Sequence, residues 1–295
     1  MATLIKDKFT KWEQSCLSRF NTLKLNEEEL NRLFIDIYGL HDEITANVTD
    51  KDITIRKANL IREIKSLISY SIGCMFGRYS LDVKGIVYAN DNLGVNKYKT
   101  FIPCHNNIIP ITEEEYFSDD IVIKFIEFIK VVYGTETLEE NLNFIAEALD
   151  NKGNSNIDKI RKYFLKEFYI DHVKLYQKRP IYWLFDSGKA NSFKALIYVH
   201  RYNPNIMNII RTNYLQKLII MYQHEINNPN YTEKKIKQLN KKLIEIIEYE
   251  KKINSLALEN IKLDFDDGVK LNYEKLQTDK NGKKYDVLGR IMPHS

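Results

Sequence analysis

Residues that break regular structure are scarce in this chain: 6 prolines and 11 glycines among 295 residues. Long helices are therefore expected, and an all-β architecture held by many Gly/Pro turns is not. Cysteine is scarcer still. Cys16, Cys74 and Cys104 lie far apart, and no two stand at metal-ligand spacing. The odd total points to reduced thiols and excludes a disulfide framework. His105 beside Cys104 has no second pair to complete a zinc site, so it reads as a loop residue. No uncharged apolar run reaches the roughly 18 residues that span a bilayer. The opening MATLIKDKFTKW has neither an apolar core nor a small-residue cleavage site. A cytoplasmic protein with no membrane partner is expected. An excess of one charge is missing too: 44 basic against 40 acidic residues leave only +4. That is too even to argue for a polyanion by itself, so local clustering must carry the claim. No Gly-x-Ser-x-Gly elbow, His-Glu-x-x-His, P-loop or nuclease pattern occurs. The acidic Glu113–Glu115, Asp119 and Asp120 suit a helix start, and His200 has no triad partner nearby in sequence.

What is present is helical periodicity. Ile5, Phe9, Trp12, Cys16, Phe20 and Leu23 step by three and four, one face of a helix. Asn26 with Glu29 resembles a capping box, which predicts a second helix ending at Gly39 and hence a helical hairpin over 5–39. Further helices are expected from Ile55 to Gly73–Gly77, before and after Thr137, from Ile157 to Phe168, and from Pro204 to Met221. Residues 80–112 hold no helical period. Thr232 to about Lys262 reads as the longest helix, with Ile236, Leu239, Leu243, Ile246, Ile253 and Ala257 as a seam that Glu250 interrupts. It is expected to fold back on the 204–226 helix as an antiparallel pair. The fold class is mainly α with a small β-hairpin, in three parts: 1–150 helical with an extended loop region, 151–267 carrying the hairpin and helix pair, and 268–295 a polar tail.

The hairpin is the densest signal. Ile181–Phe185 and Phe193–Val199 are apolar runs around a polar turn containing Gly188. Lys178 and Arg179 enter it, Lys189 and Lys194 lie at its turn, and Arg201 and Arg211 follow it. Such an aromatic hairpin edged with cations suits a polyanion. Arg and Lys bridge phosphates, and Tyr182, Trp183 or Tyr198 either stack on bases or fill a sheet face. Arg78, in the turn FGRYSLD, is a further phosphate candidate that can instead pair with Asp82.

Four passages resemble the C-terminal part of PglX-type adenine-specific DNA methyltransferases, the modification enzymes of BREX phage-defence systems. They are NEEELNRLFIDIYGLHDE (26–43), SLISYSIGCMFGRYSLD (66–82), IIPITEEEYFSDDIV (108–122) and YQKRPIYWLFDSGKANSFKALIYVHRY (176–202). The resemblance implies double-stranded DNA, an upstream methyltransferase domain and other defence proteins as partners. It implies S-adenosylmethionine as the cofactor of the longer parent. The catalytic motif of that family, an Asn/Asp-Pro-Pro-aromatic loop that holds an adenine turned out of the stack, is absent: no two prolines adjoin here. Asn228-Pro229-Asn230-Tyr231 lacks the second proline and reads as a turn. Gly73 and Gly77 lack a third glycine and a βαβ frame, so they read as packing or helix-end glycines. No catalytic, cofactor or metal residue is expected in this chain. DNA recognition and positioning by Lys178, Arg179, Lys189, Lys194, Arg201, Arg211 and Arg78 is one expected role. A helical scaffold for protein contacts is the other.

Overall fold

No glycine or proline interrupts residues 5–38, and in the computed structural model they form one 34-residue helix, α1 (Ile5–Tyr38). The structure describes residues 3–88 and 95–291; segments 89–94 of the expected loop region and 292–295 of the expected tail lie outside the described residues. The helical hairpin expected over 5–39 is thus corrected to a single rod of about 51 Å. Asn26 caps nothing, because a strong helix former flanks it on either side and no loop residue follows. The chain turns only at Gly39, whose φ of 65° is left-handed and whose N–H reaches the Ile35 carbonyl.

After a loop come α2 (Leu60–Met75), capped by the Asn59 side chain on the Arg62 N–H, and the short strand β1 (Ile109–Ile111). Four helices follow: α3 (Ile121–Tyr133), α4 (Leu138–Leu149), α5 (Asn156–Lys166) and α6 (Phe168–Leu175). Asp120 caps α3 on the Val122 N–H. Its carboxylate also takes the guanidinium of Arg161 at 2.9 and 3.0 Å, and Arg161 donates to the Thr112 carbonyl as well. Asp120 therefore serves a helix start through a buried ion pair, but the acids before it do not: Glu113 pairs with Lys242 and Glu114 with Lys235, Glu115 reaches Arg161, and Asp119 accepts from the Tyr214 hydroxyl.

The expected hairpin forms as β2 (Tyr182–Asp186) and β3 (Lys194–Tyr198). They pair antiparallel with Trp183 opposite Ile197, and β1 joins the other edge of β3, so the strand order is β1-β3-β2. Tyr182 to Phe185 and Ala195 to Tyr198 are all buried. Coverage of both faces explains why these strands read as continuous apolar runs rather than as alternation.

The stretch after Pro204 is helical throughout but not uniformly α. Helix α7 (Ile206–Ile209) runs into a π-helical segment (Ile210–Leu215) and then α8 (Gln216–Ile226). Helix α9 (Glu233–Ala257), capped by Thr232 on Lys235, lies against α8 as the expected pair. Leu239, Ile246, Ile253 and Ala257 of the seam are buried, and Glu250 leaves it to pair with Arg211. A last helix, α10 (Gly268–Lys275), precedes the turn at 279–283. Residues 286–289 then run along β2. Asp186 N–H donates to the Val287 carbonyl and Gly289 N–H to the Leu184 carbonyl. Tail and hairpin share a core: Tyr273, Leu276, Val287 and Leu288 are buried, and the Trp183 ring meets Tyr273 at 5.2 Å.

Candidate nucleic-acid interface

The cations that cluster in the sequence do not cluster in space. Lys194 turns inward, its Nζ donating to the Leu165 carbonyl and pairing with Asp186 at 3.4 Å. Arg201 donates to the carbonyls of Phe76, Cys104 and His105, tying the end of α2 to the loop before β1. Arg211, from the π-helical segment, is paired with Glu250 at 2.5 Å. Arg78 donates to the hydroxyls of Tyr79 and Tyr198. The expected Arg78–Asp82 pair is corrected: Asp82 instead accepts the N–H groups of Lys99 and Thr100. All four cations are held by internal acceptors: backbone carbonyls or tyrosine hydroxyls take Lys194, Arg201 and Arg78, and the Glu250 carboxylate takes Arg211. Tyr182, Trp183 and Tyr198 are at most 2% exposed, so they fill the sheet faces. Trp183 Nε1 is satisfied by the Pro180 carbonyl.

Three of the seven remain at the surface, at opposite ends of the hairpin. Lys189 stands at the tip. There the turn is pinned by Glu245 of α9, which accepts from Ser187 Oγ, Ala190 N, Ser192 N and Ser192 Oγ at 2.6–3.1 Å. Burial opposes ionisation of Glu245, but these donors outweigh it and hold its carboxyl below the usual value. Lys178 and Arg179 stand at the other end, about 17 Å away along five-residue strands. They are thrown outward by the way α6 stops. The Lys178 N–H returns to the Val173 carbonyl and the Gln177 N–H to Lys174, with φ of 49° at Gln177 and 65° at Lys178. This is a Schellman turn made without glycine.

Lys178 belongs to a longer feature. It lines a cleft of about 550 Å³ with Lys174, Arg290, Ile170, Val173 and Ile291. Lys174 is also a wall of a second cleft, about 510 Å³, between α2 and α6, lined by Arg62, Lys65, Tyr163 and Phe168, with the Lys65 ammonium over the Tyr163 ring. Asn59 and Arg62 in turn border a third, about 600 Å³, that holds Lys51, Arg56 and Lys57. Eight cations thus follow three clefts with shared walls, against the carboxylates of Asp50, Glu63, Glu167 and Asp171; Arg62 is paired with Glu63 at 2.9 Å and Lys65 reaches Glu167 at 3.8 Å. Asp171 is paired with Lys65 at 2.8 Å, and Asp50 lies between Lys24 and Lys57, whose hydrogen bonds pull its carboxyl down to about 2. The side chains of Lys51, Arg56, Lys174, Lys178 and Arg290 make no ion pair or hydrogen bond among the described residues. Unneutralised cations along a groove are the electrostatic footprint of phosphate binding.

Sequence reasoning missed most of this groove. Residues 51–65 carry Lys51, Arg56, Lys57, Arg62 and Lys65 against Asp52 and Glu63, a local excess that charge counting finds. Lys174 and Arg290 carry no such signal. Arg290 arrives only because Leu288 bridges to Phe185.

Neither stretch that superficially resembles a methyltransferase loop is built as one. Gly73 lies within α2, and a Cβ on it would run into the Tyr79 ring. Its role is close packing of α2 against that ring. Asn228 to Tyr231 form the turn between α8 and α9, closed by the Tyr231 N–H on the Asn228 carbonyl.

No family model matches the chain. It is 45% identical over 287 residues to adenine-specific methyltransferase PglX of Lacticaseibacillus casei (strain Zhang), an alignment covering 92% of this chain and 24% of that protein. It is 37% identical over 291 residues to adenine-specific methyltransferase BrxX of Escherichia coli O9:H4 (strain HS), covering 84% of this chain and 24% of that protein. The chain therefore spans about a quarter of the length of these relatives, and over most of its own length it is similar to the C-terminal part of PglX-type adenine-specific methyltransferases.

Proposed function

We propose that this chain is a non-catalytic, DNA-engaging part of an N6-adenine DNA methyltransferase of a BREX-type defence system. The observation that carries the reading is the run of three basic clefts through Lys57, Arg62, Lys174 and Lys178. Its role is to grip duplex phosphates and position the target. S-adenosylmethionine and the extruded adenine belong, on this reading, to the portion of the relatives outside the matched quarter. Other defence proteins are further partners.

Salt dependence tests it. Each phosphate contact contributes about −0.9 to the slope of log K against log salt. Replacing Lys174, Lys178 and Arg290 together by Gln should flatten that slope by up to about 2.7 units. The melting temperature should stay put, since these side chains hold nothing within the chain. Replacing Lys194 and Arg201 by Gln should do the reverse, lowering the melting temperature. An unchanged slope in the triple variant would remove the groove from the interface. The second reading, a helical scaffold for protein contacts, would then lead; the exposed apolar length of α1 favours it.

A further inference from the structure

Helix α1 carries an apolar face longer than the body it lies against. Phe9, Cys16, Leu23, Leu30 and Ile37 recur every seven residues, with Ile5, Trp12, Phe20, Leu33 and Phe34 beside them. A heptad seam of this kind stays on one side of a helix and fits a second helix alongside. Its first half is largely covered: Ile5, Cys16 and Phe20 are buried and Phe9 meets Phe144 at 6.5 Å, with Trp12 left 43% exposed. In its last turns the same seam is open. Leu30, Leu33, Phe34, Ile37 and Tyr38 are 53, 50, 50, 73 and 68% exposed. The loop after α1 does not close it. That loop touches another side of the helix, where Glu28 accepts the Val48 N–H and Asn31 donates to the Ala46 carbonyl. A contiguous apolar stripe of this size marks an interaction site.

We propose that this open seam receives an amphipathic helix from the portion of a PglX-type methyltransferase that lies outside the matched quarter. A second copy of this chain is the competing occupant, and linkage argues against it. Five side chains at these exposures offer on the order of 500 Å², about the apolar share of the roughly 800 Å² per partner that separate molecules must bury to associate stably. A segment tethered in the same protein needs less, because linkage holds it at an effective concentration near millimolar. The relatives, of which the alignment covers 24%, contain ample chain to supply it. The inference rests on that similarity and on α1, and not on the DNA reading of the groove, which can fail without affecting it.

Photo-crosslinking decides it. The matched quarter of the Lacticaseibacillus casei PglX is replaced by this chain with p-benzoylphenylalanine at Ile37, and the irradiated protein is mapped by mass spectrometry. Crosslinks into the other three quarters are expected, and Leu33→Glu with Phe34→Glu should reduce them roughly tenfold. Crosslinks confined to the matched quarter, or joining two copies, would overturn the proposal. Sedimentation of the chain alone at micromolar concentration is an independent arm that needs no chimaera. A monomer is expected, with a melting temperature that the same two substitutions lower by no more than a few degrees, because those side chains are already half exposed. A dimer that the substitutions dissolve would assign the seam to a second copy instead.

Discussion

His172 shows what burial does to a single titratable side chain. It is 3% exposed, lies between the rings of Phe168, Tyr176 and Tyr182, and accepts the Tyr182 N–H on Nε2 at 3.1 Å. Burial, assisted by the nearby Arg78 charge, pushes its pKa down from 6.5 to about 3. The unfolded chain takes up a proton near pH 6.5 and the folded chain only near pH 3. Stability from this site is therefore complete above pH 6.5 and is lost as pH falls, at about 1.4 kcal/mol per pH unit. His172→Gln keeps an acceptor for Tyr182 and removes the titration. Denaturant midpoints at pH 7 and pH 5 should converge for the variant by roughly 2 kcal/mol relative to the parent. Equal pH dependence in the two proteins would mean that His172 titrates normally. Arg201 makes the same point for a charge: three carbonyls surround it, so a cation that looks free in the sequence is a structural tie.

At the scale of elements, the hairpin turn depends on a helix far along the chain. Gly188 has a φ of +132°, and a Cβ on it would stand 3.0 Å from a Glu245 oxygen. Both the backbone conformation and the close approach require glycine. Glu245→Ala should cost about 2–3 kcal/mol, since it leaves partly buried donors unpaired. It should also speed hydrogen exchange at Ala190 and Ser192. Unaltered exchange there would show that the turn holds itself. The hairpin itself is legible in the sequence because its turn residues and apolar runs are local. The grip of Glu245 is not, because it joins positions more than fifty residues apart. The split of α1 is the opposite error: Asn26 and Glu29 make a convincing cap only where the chain turns, and nothing between Ile5 and Tyr38 makes it turn.

At the scale of the molecule, one apolar cluster runs from Ile5 through the sheet to Ile291. Divisions at 150 and 267 therefore cross shared packing, and we expect a single cooperative transition. Far-ultraviolet dichroism and the fluorescence of buried Trp183 should melt together. Val287→Asp, which places a charge at a fully buried position under β2, should lower that common midpoint rather than release the tail alone. Two separated transitions would restore independent units. None of the helices among the described residues is long and apolar enough to cross a membrane. Residues 286–289 also cover the outer edge of β2, a protection that a three-stranded sheet otherwise lacks.

The sequence by itself determined what depends on neighbours a few residues apart. Helix periodicity, the Thr232 cap, the Gly39 stop, the hairpin and the wording shared with adenine methyltransferases all belong there. Only the tertiary structure decided which cations remain free. Lys194, Arg201 and Arg211 look like Lys178 in the sequence, yet each finds an acceptor at least 29 residues distant, and a buried donor left without one would cost several times what a surface contact returns. The groove of Lys57, Arg62, Lys174 and Arg290 is assembled by setting α2 across a cleft from α6, tied by the Lys65–Asp171 pair, and by laying the tail along β2, contacts that no local pattern encodes.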